Sequence, residues 1–117
     1  MKVVVYGGRN FTNKTVAFKA LDLLHKQYNF TLVIDGKARG ADTLGNQWAI
    51  HNNIPYEREP AQWDKHGKTA GPIRNELMIT KYQPDVAIAF PGGVGTSHMT
   101  KKCLEYGVEV RYVTLSG

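Results

Sequence analysis

Cysteine is almost missing from this chain: Cys103 is the one cysteine among 117 residues. An internal disulfide is excluded, which suits a reducing compartment, and the fold has to be held by packing. Cys103 falls in a helical apolar pattern, so it reads as a small core residue rather than a nucleophile. Long apolar runs are missing as well. No stretch approaches the roughly 20 apolar residues of a membrane span. The opening MKVVVYGG has one lysine and a short apolar run that stops at glycines, without the apolar segment and cleavage site of a secretory leader. A cytoplasmic protein with no membrane partner is expected. No repeat of 20 residues or more and no low-complexity tract occurs, which sets aside solenoids and linker-like chains.

Two nucleotide-binding motifs are absent in the same useful way. Where a GxGxxG fingerprint would follow the first apolar run, the chain reads GGRNFT. HGKTAG contains Gly67-Lys68-Thr69, the ending of a P-loop, but Gln62 stands where that motif needs glycine and no strand leads into it. P-loop hydrolysis of ATP is not expected, and neither a metal site nor a cofactor is assigned.

What is present is ordinary globular material, 42% hydrophobic and 21% charged, in a length that suits one domain over residues 1–117 with a single core. Fifteen basic against ten acidic residues leave a net charge of +5. That is a modest attraction toward anions, nucleotides and nucleic acid included. The charges are too dispersed to mark a nucleic-acid groove.

Along the chain, Lys2–Tyr6 is a β-branched run that stops at Gly7-Gly8. Helix caps follow at Asn10–Asn13, and Val16, Ala17, Ala20, Leu21 and Leu24 recur with helical spacing. Phe30–Ile34 is a second strand, bounded by Asp35-Gly36. Ala41, Leu44, Trp48 and Ala49 give a second helical face that ends near Asn52-Asn53. Ile54–Arg58 is a short strand whose Pro55 suits a strand start or an edge. Residues 59–71, EPAQWDKHGKTAG, show neither period and read as a long, lid-like loop. Pro72 then suits the first helical position, with Ile73 and Leu77 on the buried side. Val86–Phe90 reads as a strand covered on both faces. Met99, Cys103 and Tyr106 form the last helical stripe. Val108, Val110 and Tyr112 alternate with Glu109 and Arg111 as in a half-exposed edge strand.

The alternation predicts an α/β fold: one Rossmann-like three-layer domain, with a parallel five-stranded sheet in the order 3-2-1-4-5 and helices on both faces. Ligands bind such sheets at the carboxyl edge, where strand order reverses. Here that crevice lies between YGGR, with Gly7, Gly8 and Arg9, and PGGVGT, with Pro91, Gly92, Gly93, Gly95 and Thr96. A turn that opens a helix presents unpaired N–H groups and the positive end of the helix dipole. Bare glycines there either cradle a phosphate or merely supply a tight turn. Arg9, and Arg39 beside Gly36 and Gly40, lie on neighbouring turns of the same edge and favour the phosphate.

Three segments, IDGKARGAD (34–42), PAQWDKHGKTAGPIRNELM (60–78) and FPGGVGTSHM (90–99), resemble signatures of YspA-like (cpYpsA-related) proteins of the SLOG superfamily. That superfamily also holds the DNA-processing protein DprA/Smf and the LOG phosphoribohydrolases. The resemblance implies a Rossmann-like fold, a bacterial or phage setting and a pocket for a nucleotide or nucleotide-derived molecule, signalling nucleotides included. LOG enzymes, which cleave base from ribose 5′-monophosphate, carry PGGxGTxxE. Pro91, Gly92, Gly93, Gly95 and Thr96 match that pattern, but Met99 stands in place of the glutamate. A thioether takes no proton. The LOG arginine that opens a helix has its counterpart in Arg74, followed by Asn75. The resemblance also implies a homodimer or higher homo-oligomer.

Catalytic candidates are Asp42, His66 and Arg74. Asp42 is either a helix-start acid or a residue facing the ligand. His66 acts as acid or base only if its loop closes; otherwise it is solvated, and His98 stands likewise. Glu76 lies two residues past Arg74, hence on the far side of a helix. Trp63 either stacks on a base or pins the loop. Lys68 reaches a phosphate if the loop folds inward. Lys37 stands where the YspA-like pattern often has a glycine; it adds a phosphate contact or narrows the approach. The first expectation is thus a binder of a phosphate-bearing nucleotide. Its rivals are a nucleotide N-glycosidase that uses Asp42 or His66, and a single-stranded DNA binder favoured only by the net charge.

Overall fold

The computed structural model describes residues 1–114; residues 115–117 of the expected domain lie outside the described residues. Its centre is β1 (Lys2–Tyr6), which pairs in parallel with β2 (Leu32–Asp35) on one side and β4 (Val86–Ala89) on the other. β3 (Tyr56–Arg58) lies outside β2, and β5 (Glu109–Tyr112) lies outside β4, so the order is 3-2-1-4-5 as expected.

Strand alternation sorts the apolar residues into two layers. Val3 and Val5 point into a core with Ala17, Leu21 and Trp48, from α1 (Lys14–Tyr28) and α2 (Ala41–His51). Val4 and Tyr6 point the other way, toward Met78 and Ile79 of α4 (Ala70–Tyr82) and Met99 and Cys103 of α5 (Val94–Glu105). Burial on both faces explains why β1 and β4 read as unbroken apolar runs. Asn13 caps α1 by accepting from the Val16 N–H at 3.1 Å. Cys103 is fully buried.

Four expectations need correction. Residues 59–71 are not irregular throughout: α3 (Trp63–His66) and a 3₁₀ turn (Gly67–Thr69) lead directly into α4. One turn is too short to display a helical period, and it is held locally by the Lys65 and His66 N–H groups bonding to the Gln62 carbonyl. Pro72 is consequently the third residue of α4, not the first. It still lies within the turn whose N–H groups have no intrahelical partner.

Ile73 and Leu77 are not the buried side of α4; they are 42% and 38% exposed. The helix buries Asn75, Met78 and Ile79 instead, so a polar residue faces inward where hydrophobicity alone puts it outward. Tyr106 and Tyr112 are also exposed. Tyr106 turns its hydroxyl to Glu76 at 2.7 Å. Tyr112 stands at the carboxyl end of the edge strand and borders an open depression beside α5.

Candidate functional site

The polypeptide leaves β1 toward α1 on one face and leaves β4 toward α5 on the other. That reversal opens the sheet edge between the Gly7–Arg9 turn and the Pro91–Gly95 turn. The turns are tied together: the Gly8 N–H donates to the Pro91 carbonyl at 2.9 Å, and the Ala41 N–H donates to the Gly8 carbonyl at 3.1 Å.

The glycines divide by role. A Cβ on Gly92 falls 2.1 Å from the Thr96 hydroxyl and 2.6 Å from the Gly8 nitrogen. On Gly40, whose φ is +79°, it falls 2.3 Å from the Gly8 carbonyl oxygen. Gly7 and Gly8 are likewise closed in by Phe90 and Pro91. These glycines let the turns approach one another. Gly93 and Gly95 differ, because a Cβ on either meets nothing within 4 Å. They border open space at the start of α5, where Gly93 is the cap residue and no side chain caps the helix. Free N–H groups and the helix dipole face the crevice there.

The crevice measures about 480 Å³. Met78 and Met99 contribute to its lining from the core below, and Arg9, Trp63, Lys68 and Arg74 stand around it. Arg9 lies over the Trp63 ring at 5.7 Å from its centre, a cation–π contact that holds two exposed side chains in one arrangement. Arg74 is fixed more firmly. Its Nη1 donates to the Gly36 carbonyl, and its Nε donates to the Asn75 side-chain oxygen at 3.1 Å. Asn75, itself buried, turns its amide nitrogen to Nδ1 of His98 at 3.2 Å. An amide nitrogen only donates, so Nδ1 is the acceptor and the His98 proton sits on Nε2. Burial pushes the Arg74 guanidinium down from its ordinary range, opposed chiefly by the Asp42 charge.

Asp42, in the first turn of α2, is 4% exposed. Its Oδ2 accepts from the Gly36 N–H at 3.0 Å and the Ala38 N–H at 3.4 Å. Burial and the charge of Asp35 raise its pKa to about 6, against the pull of Arg74. Asp35, buried beneath the Gly36 turn, is a charge that sequence reasoning passed over. It is fully buried, paired with Arg58 at 3.0 Å, and accepts from the Lys37 N–H at 2.7 Å. Its signal was the acid directly before Gly36 at the end of an apolar strand. Burial, the largest influence on it, raises its pKa.

The remaining expected residues fall elsewhere. Lys37 and Arg39 border a neighbouring depression of about 520 Å³, which shares Arg9, Trp63 and Arg74 with the crevice. Gly36 packs beneath the Arg74 guanidinium. Pro91 and Gly92 face a larger hollow of about 1030 Å³ between α5 and β5, walled by Leu104 and Tyr112. Its lining is mainly apolar and holds no arginine, whereas the smaller crevice gathers Arg9, Lys68 and Arg74. His66 borders none of these spaces. His98 stands behind Asn75, and Glu76 is on the outer side, bonded by Tyr106 and 3.8 Å from Lys102. Among the described residues no group of three or more His, Cys, Asp or Glu is placed to hold a metal ion, and no helix is long and apolar enough to cross a membrane.

A parallel sheet in the order 3-2-1-4-5 with helices on both faces, and a crevice at its reversal point bordered by an uncapped helix start and by Arg9 and Arg74, defines a Rossmann-like protein. The chain belongs to the YspA, cpYpsA-related SLOG family, which matches residues 1–66. It is also similar to the Gene 61 protein of Mycobacterium phage D29, with 36% identity over 117 residues covering 93% of each chain. The family match includes Arg9, Arg39, Asp42 and Trp63; the opposite wall, from Lys68 to Thr96, lies beyond it.

Proposed function

We propose that this protein binds a phosphate-bearing nucleotide, or a molecule derived from one, in the crevice between the Arg9 turn and the start of α5. The observation that carries this reading is the pairing of an uncapped helix start, open at Gly93 and Gly95, with Arg74 across the same space. Phosphate oxygens accept from the free N–H groups of α5, while Arg74 supplies a planar fork of donors whose direction is already set. Arg9 and Lys68 add positive charge at the rim. The exposed Trp63 ring offers a face for a base. Family membership supports a nucleotide-related ligand, and the phage relative supports a phage or bacterial setting.

A second reading, cleavage of the base–ribose bond, has one observation in its favour. Asp42 borders the crevice with a carboxyl whose pKa is raised to about 6, in the range where a carboxylate exchanges protons near neutral pH. Asp42 is, however, engaged by two backbone N–H groups and lies under the Gly36 turn. Binding without turnover is the stronger reading. The test is a thermal-shift screen against nucleotides, with product analysis of every hit. Saturable binding of a nucleotide returned unchanged supports the reading, and release of free base supports its rival.

A further inference from the structure

The depression beside the crevice is ringed by positive charge that is not taken up in salt bridges. Arg9, Lys37, Arg39 and Arg74 border it, with Pro60 and Trp63 completing the wall. Among the described residues, none of these four cations takes part in a salt bridge. Asp35 is fully buried against Arg58, and Asp42, whose charge acts on Arg74, accepts from the Gly36 and Ala38 N–H groups. Cations gathered without counter-charge repel one another.

A second observation concerns Lys37. Its φ is +56°, a left-handed conformation that costs a residue with a Cβ on the order of 1 kcal/mol and that glycine adopts freely. The conformation is held by the N–H bond to buried Asp35 at 2.7 Å. A strained lysine at the mouth of a cationic hollow, where glycine fits the backbone better, keeps its charge at a cost to the fold. Local strain of this kind gathers at ligand sites.

We infer that this hollow is a second anion subsite and that the ligand carries two phosphate groups held apart by a sugar, as in a 5′-phosphorylated dinucleotide. The inference rests on the nucleotide reading above. One phosphate sits at the start of α5 with Arg74, and the second lies between Lys37, Arg39 and Arg9. Arg9, Trp63 and Arg74, which border both spaces, stand between the two phosphates.

The experiment compares titrations of the four nucleoside 5′-monophosphates with the four matching 5′-phosphorylated homodinucleotides, on wild type and on Lys37→Gly/Arg39→Gln. Wild type is expected to bind its best dinucleotide at least about tenfold tighter than the monophosphate, the worth of one charge-assisted hydrogen bond. The double variant is expected to lose most of that advantage while its monophosphate affinity stays within about twofold. Arg39→Gln alone, at an exposed position, repeats the test without touching the Gly36 turn. Equal affinity of wild type for both classes overturns the second subsite, as does equal weakening of both classes in the variants. A ten-nucleotide strand binding more than about tenfold tighter than the dinucleotide also overturns it, by making the hollow part of a strand track. If no nucleotide binds at all, the nucleotide reading itself falls.

Discussion

The Arg74 guanidinium donates to the carbonyl oxygen of Gly36, 38 residues earlier in the chain. One bond thereby joins the first turns of α4 to the turn after β2. Together with the Asn75 contact it uses two of the five guanidinium N–H groups, leaving the others for a ligand. Arg74→Lys keeps the charge but removes the fork. Nucleotide affinity measured by calorimetry should fall by about tenfold or more, because charge-assisted hydrogen bonds contribute roughly 1.5–3 kcal/mol. Unchanged affinity would take Arg74 out of the site.

Two adjacent glycines should behave oppositely. Gly92→Ala forces a Cβ to within 2.1 Å of the Thr96 hydroxyl, so its thermal unfolding should shift down by the equivalent of about 1–3 kcal/mol. A Cβ at Gly93 meets nothing within 4 Å, so Gly93→Val should fold almost as wild type. Its side chain enters the space in front of the α5 N–H groups, so phosphate-bearing ligands should be lost. A folded Gly93→Val protein that binds as wild type would move the cradle elsewhere.

Stability should depend on pH through Asp42. Its folded-state pKa, about 6, lies above the ordinary 3.8, so the folded state favours the protonated acid. Its contribution is fully present below pH 3.8 and is lost as pH rises through about 6. Asp35 has a raised pKa as well and acts in the same direction. Asp42→Asn keeps an oxygen for the Gly36 and Ala38 N–H groups but cannot ionise. Relative to wild type, it should gain about 1–3 kcal/mol between pH 4 and pH 7.5 in denaturant unfolding. Parallel pH profiles for the two proteins would show that Asp42 does not carry this dependence.

Much of this architecture was legible in the chain. Unbroken apolar runs at Val3–Val5 and Val86–Phe90 announced central parallel strands, and the glycine turns marked the sheet edge at which the crevice opens. The parts that escaped were those in which polar groups face inward. Asn75 is buried because it bridges Arg74 and His98, and no hydrophobic pattern reports such a bridge. Asp35 is buried by its pairing with Arg58, two strands brought together by the fold. The single turn of α3 was too short for any period to show. The split between Gly92, closed in by its neighbours, and Gly93, open to the crevice, depends on distances across the sheet edge that spacing alone does not contain.

Met99 predicts the absence of an activity. It stands where the LOG pattern has its glutamate, and it is 1% exposed in the core with Tyr6 and Cys103. Without a carboxylate at that place, wild type should release no free base from nucleoside 5′-monophosphates in multiple-turnover assays followed by chromatography. Met99→Glu is a poor rescue variant, because it buries a carboxyl among apolar side chains at a cost of several kcal/mol. Release of base by wild type, abolished in Asp42→Asn, would establish the hydrolase reading instead.

Phosphate recognition at the start of α5 is proposed to hold the ligand. It is tested most directly by titrating wild-type protein with matched pairs, each nucleotide beside its own nucleoside. Saturable binding of at least one nucleotide is expected, with its nucleoside weaker by at least about tenfold, the loss expected for one or two charge-assisted hydrogen bonds. Equal binding of a nucleotide and its nucleoside, or no binding by any pair, would contradict it.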